Sequence, residues 1–319
     1  MLSLLFLPLI LKLLILTQAS AVESDFPIVG IFTMEWDDFG YNTTKNYTSY
    51  IAASYVKHLE SGGFRTIVIK YDIPYEEIDY LMSRVNAIML LGGRANLVKR
   101  KKGKYQFTEY ANKALYVVNK AIEMNDKGVY YPVFGTCLGF EAMFVAAAGE
   151  NVLERFDSEM YRSIMYFTEK APTSRFLRGA NPALLYDLSY EPIAFENHAF
   201  GVSYEKYLNN PRLTDFFDPL AISKDRAGKI NIAIAEGKKY PFYAMMVHPE
   251  KPPYEYYFPE INHDIRAIQL GHYFVRIFAS EAKKNSNKFD TDFEFLKNSA
   301  RSYDLYFTHY PFEQTYFIL

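Results

Sequence analysis

The amino-acid sequence predicts an α/β fold with a mostly parallel central sheet that helices cover on both faces. In the first half of the chain, short apolar segments alternate with segments that carry apolar residues at helical spacing. The apolar segments are continuous rather than alternating, as in residues 86–91 (NAIMLL). Strands of this kind are buried on both faces, which is typical of parallel sheets in α/β proteins.

The elements of this first half follow one another at short intervals. Apolar and β-branched runs predict strands at 27–32, 65–70, 86–91 and 130–134. Helical spacing predicts helices at 47–60, 75–82, 107–124 and 138–148. Gly62 and Gly63 directly follow the first helix and mark its carboxyl end, because glycine readily adopts the backbone conformation that terminates a helix.

The pattern changes in the second half of the chain. Residues 151–235 contain shorter strands and turns, which we expect to add antiparallel pairs at the sheet edge. The clearest elements of the second half are strands at 191–195, 229–235 and 243–247 and a long helix at 264–284. The aromatic tail, 303–319, is expected to pack on the body as an extra strand or to contact a partner.

The N-terminal segment predicts a cleaved signal peptide over residues 1–21. Residues 1–16 are almost entirely Leu, Ile, Phe and Pro, and the small residues Ala19 and Ala21 then fit an A-x-A cleavage site. A retained anchor is the weaker alternative, because a transmembrane helix needs about 20 apolar residues and this run is shorter. The rest of the chain has no repeat, low-complexity tract or linker, so we expect one domain over residues 22–319.

Two sequons follow the first predicted strand. Asn42 and Asn46 each begin an N-x-T triplet, which is a glycosylation acceptor only in a chain that enters the secretory pathway. Their presence agrees with the predicted signal peptide, and we expect a secreted protein without a membrane anchor.

The composition excludes two broad classes of protein. A net charge of −2 and a pI of about 6.3 provide no positive field for nucleic acid. The one basic run, 99–102, lies in a predicted loop and is interpreted as a solvated turn. Half of the residues are hydrophobic and 17% are aromatic, which is ample for a core and argues against disorder.

Cys137 is the only cysteine of the chain, so a secreted form has no intramolecular disulfide. Counting alone favours a buried, inert cysteine, but its surroundings favour a nucleophile. A predicted strand meets a predicted helix through G-x-C-x-G, with Gly135 and Gly139 on either side, which is a nucleophile-elbow pattern with Cys in place of Ser. An ordinary glycine-rich turn is the alternative.

The elbow gives each residue type a physical reason. Small neighbours let the strand and the helix approach each other closely. The sulfur then lies at the carboxyl end of a parallel strand, where α/β sheets bind ligands. The helix N-terminus is expected to lower the pKa of the Cys137 thiol below the value of about 8.5 for a free cysteine.

A cysteine nucleophile needs a base that a third group orients. Among the six histidines, His248 directly follows the predicted strand 243–247 and precedes Pro249 and Glu250. Glu250 can hold the imidazole in the required tautomer if the chain turns, and Pro249 favours a turn. The other histidines lie in predicted helices or in the tail, or lack a comparable acidic neighbour.

Gly92 and Gly93 end the strand that precedes the elbow strand. Backbone N–H groups of Gly93 and Leu138 are therefore candidates for an oxyanion hole, worth about 3 kcal/mol per donor. A plain turn explains the same glycines equally well. His198 is a candidate for substrate contact, although the residues alone favour a structural histidine.

Together these residues resemble the γ-glutamyl hydrolase family of the class I glutamine amidotransferase-like superfamily. The resemblance runs through the whole mature chain. The segments that carry it are 45–61, Gly92 with Gly93, 134–141 (FGTCLGFE), 247–255 (VHPEKPPYE) and the aromatic tail.

The resemblance implies a three-layer α/β/α fold and the release of γ-linked glutamate from folyl or antifolyl poly-γ-glutamates. It also implies a secreted, lysosomal or vacuolar homodimer that needs no metal or organic cofactor. His198 falls where the family has a functionally important histidine. Gly92, Arg94 and Glu141 fall near the expected substrate cleft, and Arg94 is expected to meet the α-carboxylates of the substrate.

The expected mechanism is attack by the Cys137 thiolate on the γ-amide carbonyl to form a thioester. The amides of Gly93 and Leu138 would hold the oxyanion, and His248, oriented by Glu250, would act as acid and base. Two alternatives stay open. One is a glutaminase or a hydrolase of small γ-glutamyl amines on the same scaffold, and the other is a non-catalytic folate- or glycan-binding relative.

Overall fold

The computed structural model of the chain describes residues 26–36, 45–101 and 104–319. The predicted signal segment and Asn42 lie outside these residues, whereas Asn46 is described and exposed. Within the described ranges, no helix has both the length and the apolar character that crossing a membrane requires.

The strands and helices are numbered in chain order. The strands are β1 Ile28–Phe32, β2 Met34–Glu35, β3 Ser49–Ala52, β4 Arg65–Ile69, β5 Ala87–Leu90, β6 Val98–Lys101, β7 Lys104–Phe107, β8 Val133–Thr136, β9 Glu154–Ser163, β10 Tyr166–Phe167, β11 Ala194–Gly201, β12 Phe217–Lys224, β13 Ile230–Gly237, β14 Phe242–Met245, β15 Leu305–Phe307 and β16 Gln314–Ile318. The α-helices are α1 Ala53–Ser61, α2 Tyr75–Met82, α3 Glu109–Asp126, α4 Leu138–Ala148, α5 Pro182–Tyr190, α6 Tyr204–Leu208, α7 Pro211–Phe216, α8 Ile265–Ala282 and α9 Asp292–Asn298.

An eight-stranded sheet, in the order β10-β12-β13-β14-β8-β5-β1-β4, forms the centre of the molecule. The five strands from β14 to β4 are parallel, and the three at the other end add antiparallel pairs. Every residue of β1, β5, β8 and β14 is buried. The predicted α/β fold with a mostly parallel sheet is confirmed.

Strand β8 shows how helices cover both faces of this sheet. Phe134 packs on Phe278 of α8, with ring centroids 5.2 Å apart. The next residue, Gly135, abuts Gly139 and Met143 of α4. Successive residues of a strand point to opposite faces, so α8 and α4 lie on opposite sides of the sheet. The α/β/α layering follows from this alternation.

The predicted start of the first helix is wrong. Residues Ser49–Ala52 form β3, and the helix begins only at Ala53. In a second sheet, β3 lies between β2 and β16, the latter from the aromatic tail, and Phe317 pairs with Tyr50. Pairing with this distant strand outweighs the helical spacing of the apolar residues, which continues through α1. The tail is therefore an extra strand, as predicted.

Three further elements differ from their predictions. The strand predicted at 191–195 does not extend the central sheet, since β11 pairs with β9 in a separate two-stranded sheet. Helix α5 was missed, although Asn181 caps it and Pro182 opens it, which are recognisable start signals. Residues 99–101 of the basic run belong to strand β6, which pairs with β7, rather than to a loop, and their side chains are exposed.

The parallel strands position the candidate site. β5, β8 and β14 are neighbours, so their carboxyl ends meet at one edge of the sheet. Gly92 follows β5, Cys137 follows β8, and His248 follows β14. Residues that are 45 and 111 positions apart in the sequence (137 − 92 and 248 − 137) are thereby brought to one place.

Candidate active site

Cys137 occupies a strained turn between β8 and α4. Its backbone has φ 52° and ψ −108°, in a region that residues other than glycine rarely adopt. Its N–H donates to the carbonyl oxygen of Met245 on β14 at 2.8 Å, which ties the turn to the sheet. Strain of this kind persists only where the surroundings impose it, and it is the geometry of a nucleophile elbow.

The two glycines of the elbow are required by packing, as the sequence predicts. A Cβ at Gly135 would lie 2.6 Å from the carbonyl oxygen of Gly139. A Cβ at Gly139 would overlap the carbonyl oxygen of Leu90 on β5. Side chains at either position would push the start of α4 away from the strands, and Cys137 would move with it.

His248 and Glu250 form the predicted pair. Nδ1 of His248 lies 2.8 Å from Oε1 of Glu250, which is 1% exposed. Because an ionised carboxylate only accepts hydrogen bonds, Nδ1 carries the proton and Nε2 is left as the acceptor. Among the described residues, Nε2 has no hydrogen-bond partner, and His248 lines the same cavity as Cys137.

Gly92 lies beside both Cys137 and His248. A Cβ at this position would be 2.9 Å from Cε1 of His248 and 3.0 Å from Cβ of Cys137. Its N–H donates to the hydroxyl oxygen of Tyr55 at 2.9 Å, and that oxygen is 3.5 Å from Nδ1 of His248. Tyr55 was treated in the sequence only as an apolar helix position, and its role in holding this turn was missed.

The two predicted oxyanion donors flank the nucleophile. Leu138 is the first residue of α4, so its N–H has no acceptor within the helix. Gly93 follows the residue that Tyr55 holds, and both Gly93 and Leu138 line the cavity. The geometry is compatible with both amides acting on an oxygen bound beside Cys137.

The resting protonation states differ from the expected thiolate. Burial raises the pKa of the Cys137 thiol, and the Glu141 carboxylate adds to the rise, while the Leu138 N–H acts in the opposite direction. Burial lowers the pKa of His248 despite the neighbouring Glu250. The helix N-terminus acts as predicted but does not prevail, so the site at rest holds a thiol beside a neutral imidazole.

A cavity of about 310 Å³ opens beside Cys137 and His248. This volume is at the lower end of the range for small-molecule sites. All four predicted substrate contacts, Gly92, Arg94, Glu141 and His198, line it together with Cys137 and His248. Residues of β9 and β11 and residues 310–312 of the tail also line it. Apart from His198, the sequence did not place these residues at the site.

His198 belongs to a second buried pair. Its Nδ1 donates to the carbonyl oxygen of Phe200 at 2.8 Å, and Nε2 lies 3.0 Å from Oε2 of Glu196. The other oxygen of Glu196 accepts hydrogen bonds from the hydroxyls of Ser163 at 2.7 Å and Ser223 at 2.6 Å. Glu196 was missed, although a Glu and a His two residues apart repeat the spacing of Glu250 and His248.

This second pair is ionised. Burial disfavours the charged ring, but the hydrogen bond and charge of Glu196 outweigh it and raise the pKa of His198. Burial also opposes ionisation of Glu196, whose pKa the hydrogen bonds from His198 and the two serines nevertheless lower. Because both ring nitrogens are engaged, His198 acts on the cavity through its charge rather than through a free N–H.

Glu141 lies in the first turn of α4 and is buried. Burial raises the pKa of its carboxyl to about 7, and the charge of His198 acts in the opposite direction. Its charge therefore changes near neutral pH, close to Cys137.

Solved structures with a similar fold are distant in sequence. A glutamine amidotransferase from Methylobacillus flagellatus superposes with a TM-score of 0.49 at 13% identity, over 83% of this chain and 98% of that chain. The fold assignment rests on the sheet itself, and this likeness adds nothing to it.

Sequence comparison identifies much closer relatives. The Peptidase C26 family matches residues 27–175. A γ-glutamyl hydrolase of Rattus norvegicus is 35% identical over 270 residues, and that of Homo sapiens is 34% identical over 271 residues, each covering 84% of this chain and 81% of the relative. γ-Glutamyl hydrolase B of Dictyostelium discoideum is 30% identical over 292 residues, covering 91% of this chain and 81% of the relative. With this identity over most of both chains, the protein belongs to the γ-glutamyl hydrolase family.

Proposed function

We propose that this chain hydrolyses γ-glutamyl amide bonds in poly-γ-glutamates, with folyl or antifolyl poly-γ-glutamates as its substrates. The observation that carries the proposal is that Cys137 and His248 line one cavity, with Nδ1 of His248 bound to Glu250 and Nε2 left without a hydrogen-bond partner among the described residues. Relatives named for γ-glutamyl hydrolysis support the bond type, and the family resemblance supports the folyl substrates.

The first half of the reaction transfers the γ-glutamyl group to the enzyme. Nε2 of His248 takes the proton from the Cys137 sulfur as the sulfur attacks the γ-carbonyl carbon. The carbonyl oxygen becomes an oxyanion that the Gly93 and Leu138 amides stabilise. Glu250 stabilises the imidazolium that forms, as its 2.8 Å contact with Nδ1 requires.

The second half releases both products. Nε2–H of His248 protonates the amide nitrogen as the carbon–nitrogen bond breaks, and the amine of the departing glutamate leaves. The thioester on Cys137 is then attacked by a water molecule that His248 deprotonates. The sulfur recovers a proton from the imidazolium, and the chain needs no cofactor for any of these steps.

The raised pKa of Cys137 fits this sequence of proton transfers. A thiol that stays protonated at rest is a weak nucleophile, and it is activated only when the proton can move to His248 during attack. The neutral His248 ring, whose pKa burial lowers, is ready to accept that proton.

Pteroyl-penta-γ-glutamate incubated with wild type and with Cys137→Ala tests the proposal. Wild type is expected to shorten the polyglutamate chain, and Cys137→Ala is expected to yield no product above background. Absence of product from wild type would overturn the function, and equal product from both would overturn the nucleophile. Release of ammonia from free glutamine, with the polyglutamate intact, would instead indicate a glutaminase.

We also propose that residues 1–21 are removed and that the remaining single domain, 22–319, is secreted or delivered to the lysosome or vacuole. The apolar run with small residues at 19 and 21 supports cleavage. The exposure of Asn46 supports glycosylation there, and Asn42 carries the same sequence signal. Deleting residues 1–21 is expected to abolish secretion and glycan addition, so unchanged glycosylation after the deletion would contradict the proposal.

A homodimer is proposed on the family resemblance alone. Light scattering coupled to size-exclusion chromatography measures the mass of the mature protein directly. Twice the mass of one chain is expected, and the mass of a single chain at micromolar concentration would contradict the dimer.

A further inference from the structure

One wall of the active-site cavity contains a strained β-bulge. Between two paired positions, β9 has two residues, Glu159 and Met160, where β11 has only Asn197. Met160 has φ 47°, a backbone conformation that is unfavourable for any residue other than glycine. All three residues line the same cavity as Cys137. Such a conformation persists only where the surroundings impose it, and bulges are frequent next to active sites.

Asn197 connects this bulge to the nucleophile. Its side-chain Oδ1 accepts a hydrogen bond from the N–H of Met160 at 3.2 Å. Its backbone carbonyl oxygen accepts the thiol of Cys137, with 3.8 Å between oxygen and sulfur. A thiol is a weak donor, so this contact contributes little energy, but it places the Asn197 peptide group against the sulfur. A change in the backbone of Met160 would therefore move a group that contacts Cys137.

Arg226 binds the bulge from the turn between β12 and β13. Its Nη2 donates to the carbonyl oxygens of Glu159 at 2.7 Å and Met160 at 2.8 Å. Its Nη1 donates to Oδ1 of Asp157 at 2.9 Å. The guanidinium is planar and presents its donors in a fixed geometry, so one side chain sets the positions of all three acceptors. Arg226 is not among the described residues that line the cavity.

These contacts account for the strained conformation of Met160. The exposed ion pair of Arg226 with Asp157 contributes little by itself. The two carbonyl contacts act differently, because the Glu159 carbonyl belongs to the peptide group before Met160 and the Met160 carbonyl to the peptide group after it. Holding both peptide groups fixes the φ and ψ angles of Met160 between them.

We propose that Arg226 is a positioning residue for γ-glutamyl hydrolysis, which holds the Met160 bulge in the conformation that forms the cavity wall beside Cys137. The inference rests on the proposed function. Without Arg226, Met160 relaxes to a negative φ, and the wall has to form again each time a substrate binds. The apparent affinity for substrate then falls by the fraction of molecules whose wall is already formed, whereas the chemical step in the bound state is unchanged.

Steady-state kinetics of Arg226→Met on pteroyl di-γ-glutamate test the proposal. KM is expected to rise by about 5- to 30-fold, the population factor of a left-handed conformation in a residue other than glycine. The change in kcat is expected to stay below about twofold, because the bound state contains the formed wall. Partial unfolding would have the opposite signature, since it lowers kcat per total enzyme and leaves KM unchanged. Arg301→Met is the matched control with wild-type constants, because Arg301 is exposed, binds Glu60 twice and is not among the described residues that line the cavity.

A second-site comparison tests whether backbone strain is what Arg226 counteracts. Met160→Ala and Met160→Gly both remove the side chain from the cavity, and they differ only in the Cβ that makes a positive φ unfavourable. In the Met160→Ala background, Arg226→Met is expected to raise KM by the same factor of about 5 to 30. In the Met160→Gly background, the rise is expected to be less than about threefold, because glycine adopts a positive φ readily. This dependence on one Cβ distinguishes the positioning role from general stabilisation of β9.

The contrary results are distinct. A wild-type KM in Arg226→Met overturns the inference alone, and so does an equal rise of KM in the Met160→Ala and Met160→Gly backgrounds. Absence of cleavage by wild type overturns the proposed function and this inference with it. Thermal melting shows whether each variant folds. If Arg226→Met does not fold, Arg226→Lys carries the same comparison, because it keeps the charge beside Asp157 and lacks the planar fork that holds both carbonyls.

Discussion

Two histidine–glutamate pairs face the same cavity, and they are built for opposite purposes. His248 and Glu250 follow β14, and His198 and Glu196 lie on β11, each pair two residues apart and buried. In the first pair, one ring nitrogen binds the carboxylate and the other has no hydrogen-bond partner among the described residues. In the second, the carboxylate and the Phe200 carbonyl engage both nitrogens.

The difference shows that the role of each histidine depends on the ring nitrogen that does not bind the glutamate of its pair. Burial disfavours the charged ring in both pairs. For His248 burial prevails and the pKa is lowered, whereas for His198 the carboxylate and a carbonyl oxygen prevail and the pKa is raised. A histidine whose two ring nitrogens both bind acceptors stays protonated and is a fixed cation. A histidine with one such acceptor keeps a lone pair on its other nitrogen and can act as a base. The protonation state of a buried histidine–glutamate pair therefore depends on every group that contacts the ring, not only on the glutamate.

The largest expected effect comes from breaking the base. His248→Gln keeps a polar side chain but cannot take the proton from Cys137. We expect kcat/KM on a γ-glutamyl substrate to fall by about 10⁴-fold, as when a triad member is removed. His272→Gln on α8, a histidine outside the cavity lining, is the matched control and is expected to keep wild-type activity. A decrease of less than about tenfold in His248→Gln would exclude the assigned base.

The second prediction concerns the Glu196 carboxylate, which keeps His198 charged. Glu196→Gln leaves His198 buried without its carboxylate, and we expect the free energy of unfolding to fall by about 3–5 kcal/mol near neutral pH. Urea denaturation monitored by circular dichroism measures the loss. Glu205→Gln is the control, since Glu205 is exposed in α6 and its substitution is expected to cost no more than about 0.5 kcal/mol.

The pH dependence of this loss distinguishes an ion pair from packing. The pKa of His198 is raised, so its contribution is present below the unfolded value of about 6.5 and is lost as pH rises through the folded value. The pKa of Glu196 is lowered, so its contribution is present above the unfolded value of about 4.3 and is lost as pH falls through the folded value. The difference between wild type and Glu196→Gln should therefore peak between these limits, and a difference that is constant with pH would contradict the ion pair.

The same contrast explains what the sequence could and could not predict. Cys137, His248 and Glu250 were predictable because each follows the end of an apolar strand, and because Glu250 lies two residues from its histidine. Helices 75–82 and 138–148 have the predicted bounds, since local spacing and glycine positions determine them. Features that depend on neighbours in the sequence could thus be predicted.

Features that depend on partners far away in the sequence could not be predicted. Tyr55 holds Gly92 across 37 residues and approaches His248 across 193 residues, so no local pattern marks it. Strand β3 forms by pairing with β16 at the far end of the chain. The protonation of Cys137 also follows from burial in the folded protein, which outweighs the local helix N-terminus.

The smallest expected effect concerns how the nucleophile senses the rest of the cavity. Burial raises the pKa of Glu141 to about 7, and the ionised carboxylate is one of the influences that raise the pKa of Cys137. As pH rises through about 7, Glu141 becomes charged and removal of the thiol proton becomes less favourable. We therefore expect kcat/KM to decline several-fold on this alkaline side. On the acidic side it should fall below pH 6.5, because His248, with its lowered pKa, becomes protonated.

Glu141→Gln separates the two limbs of this profile. The variant is nearly isosteric and cannot ionise, so the decline near pH 7 should disappear while the acidic limb stays where it is. Steady-state kinetics between about pH 4 and 9, with binding and turnover resolved as KM and kcat, measure both limbs. An alkaline limb that persists in Glu141→Gln would mean that another group controls Cys137. A shifted acidic limb would mean that Glu141 acts on His248 instead. The comparison of His248 as the base with His198 as the permanently charged histidine would then have to include Glu141 as a third interacting group.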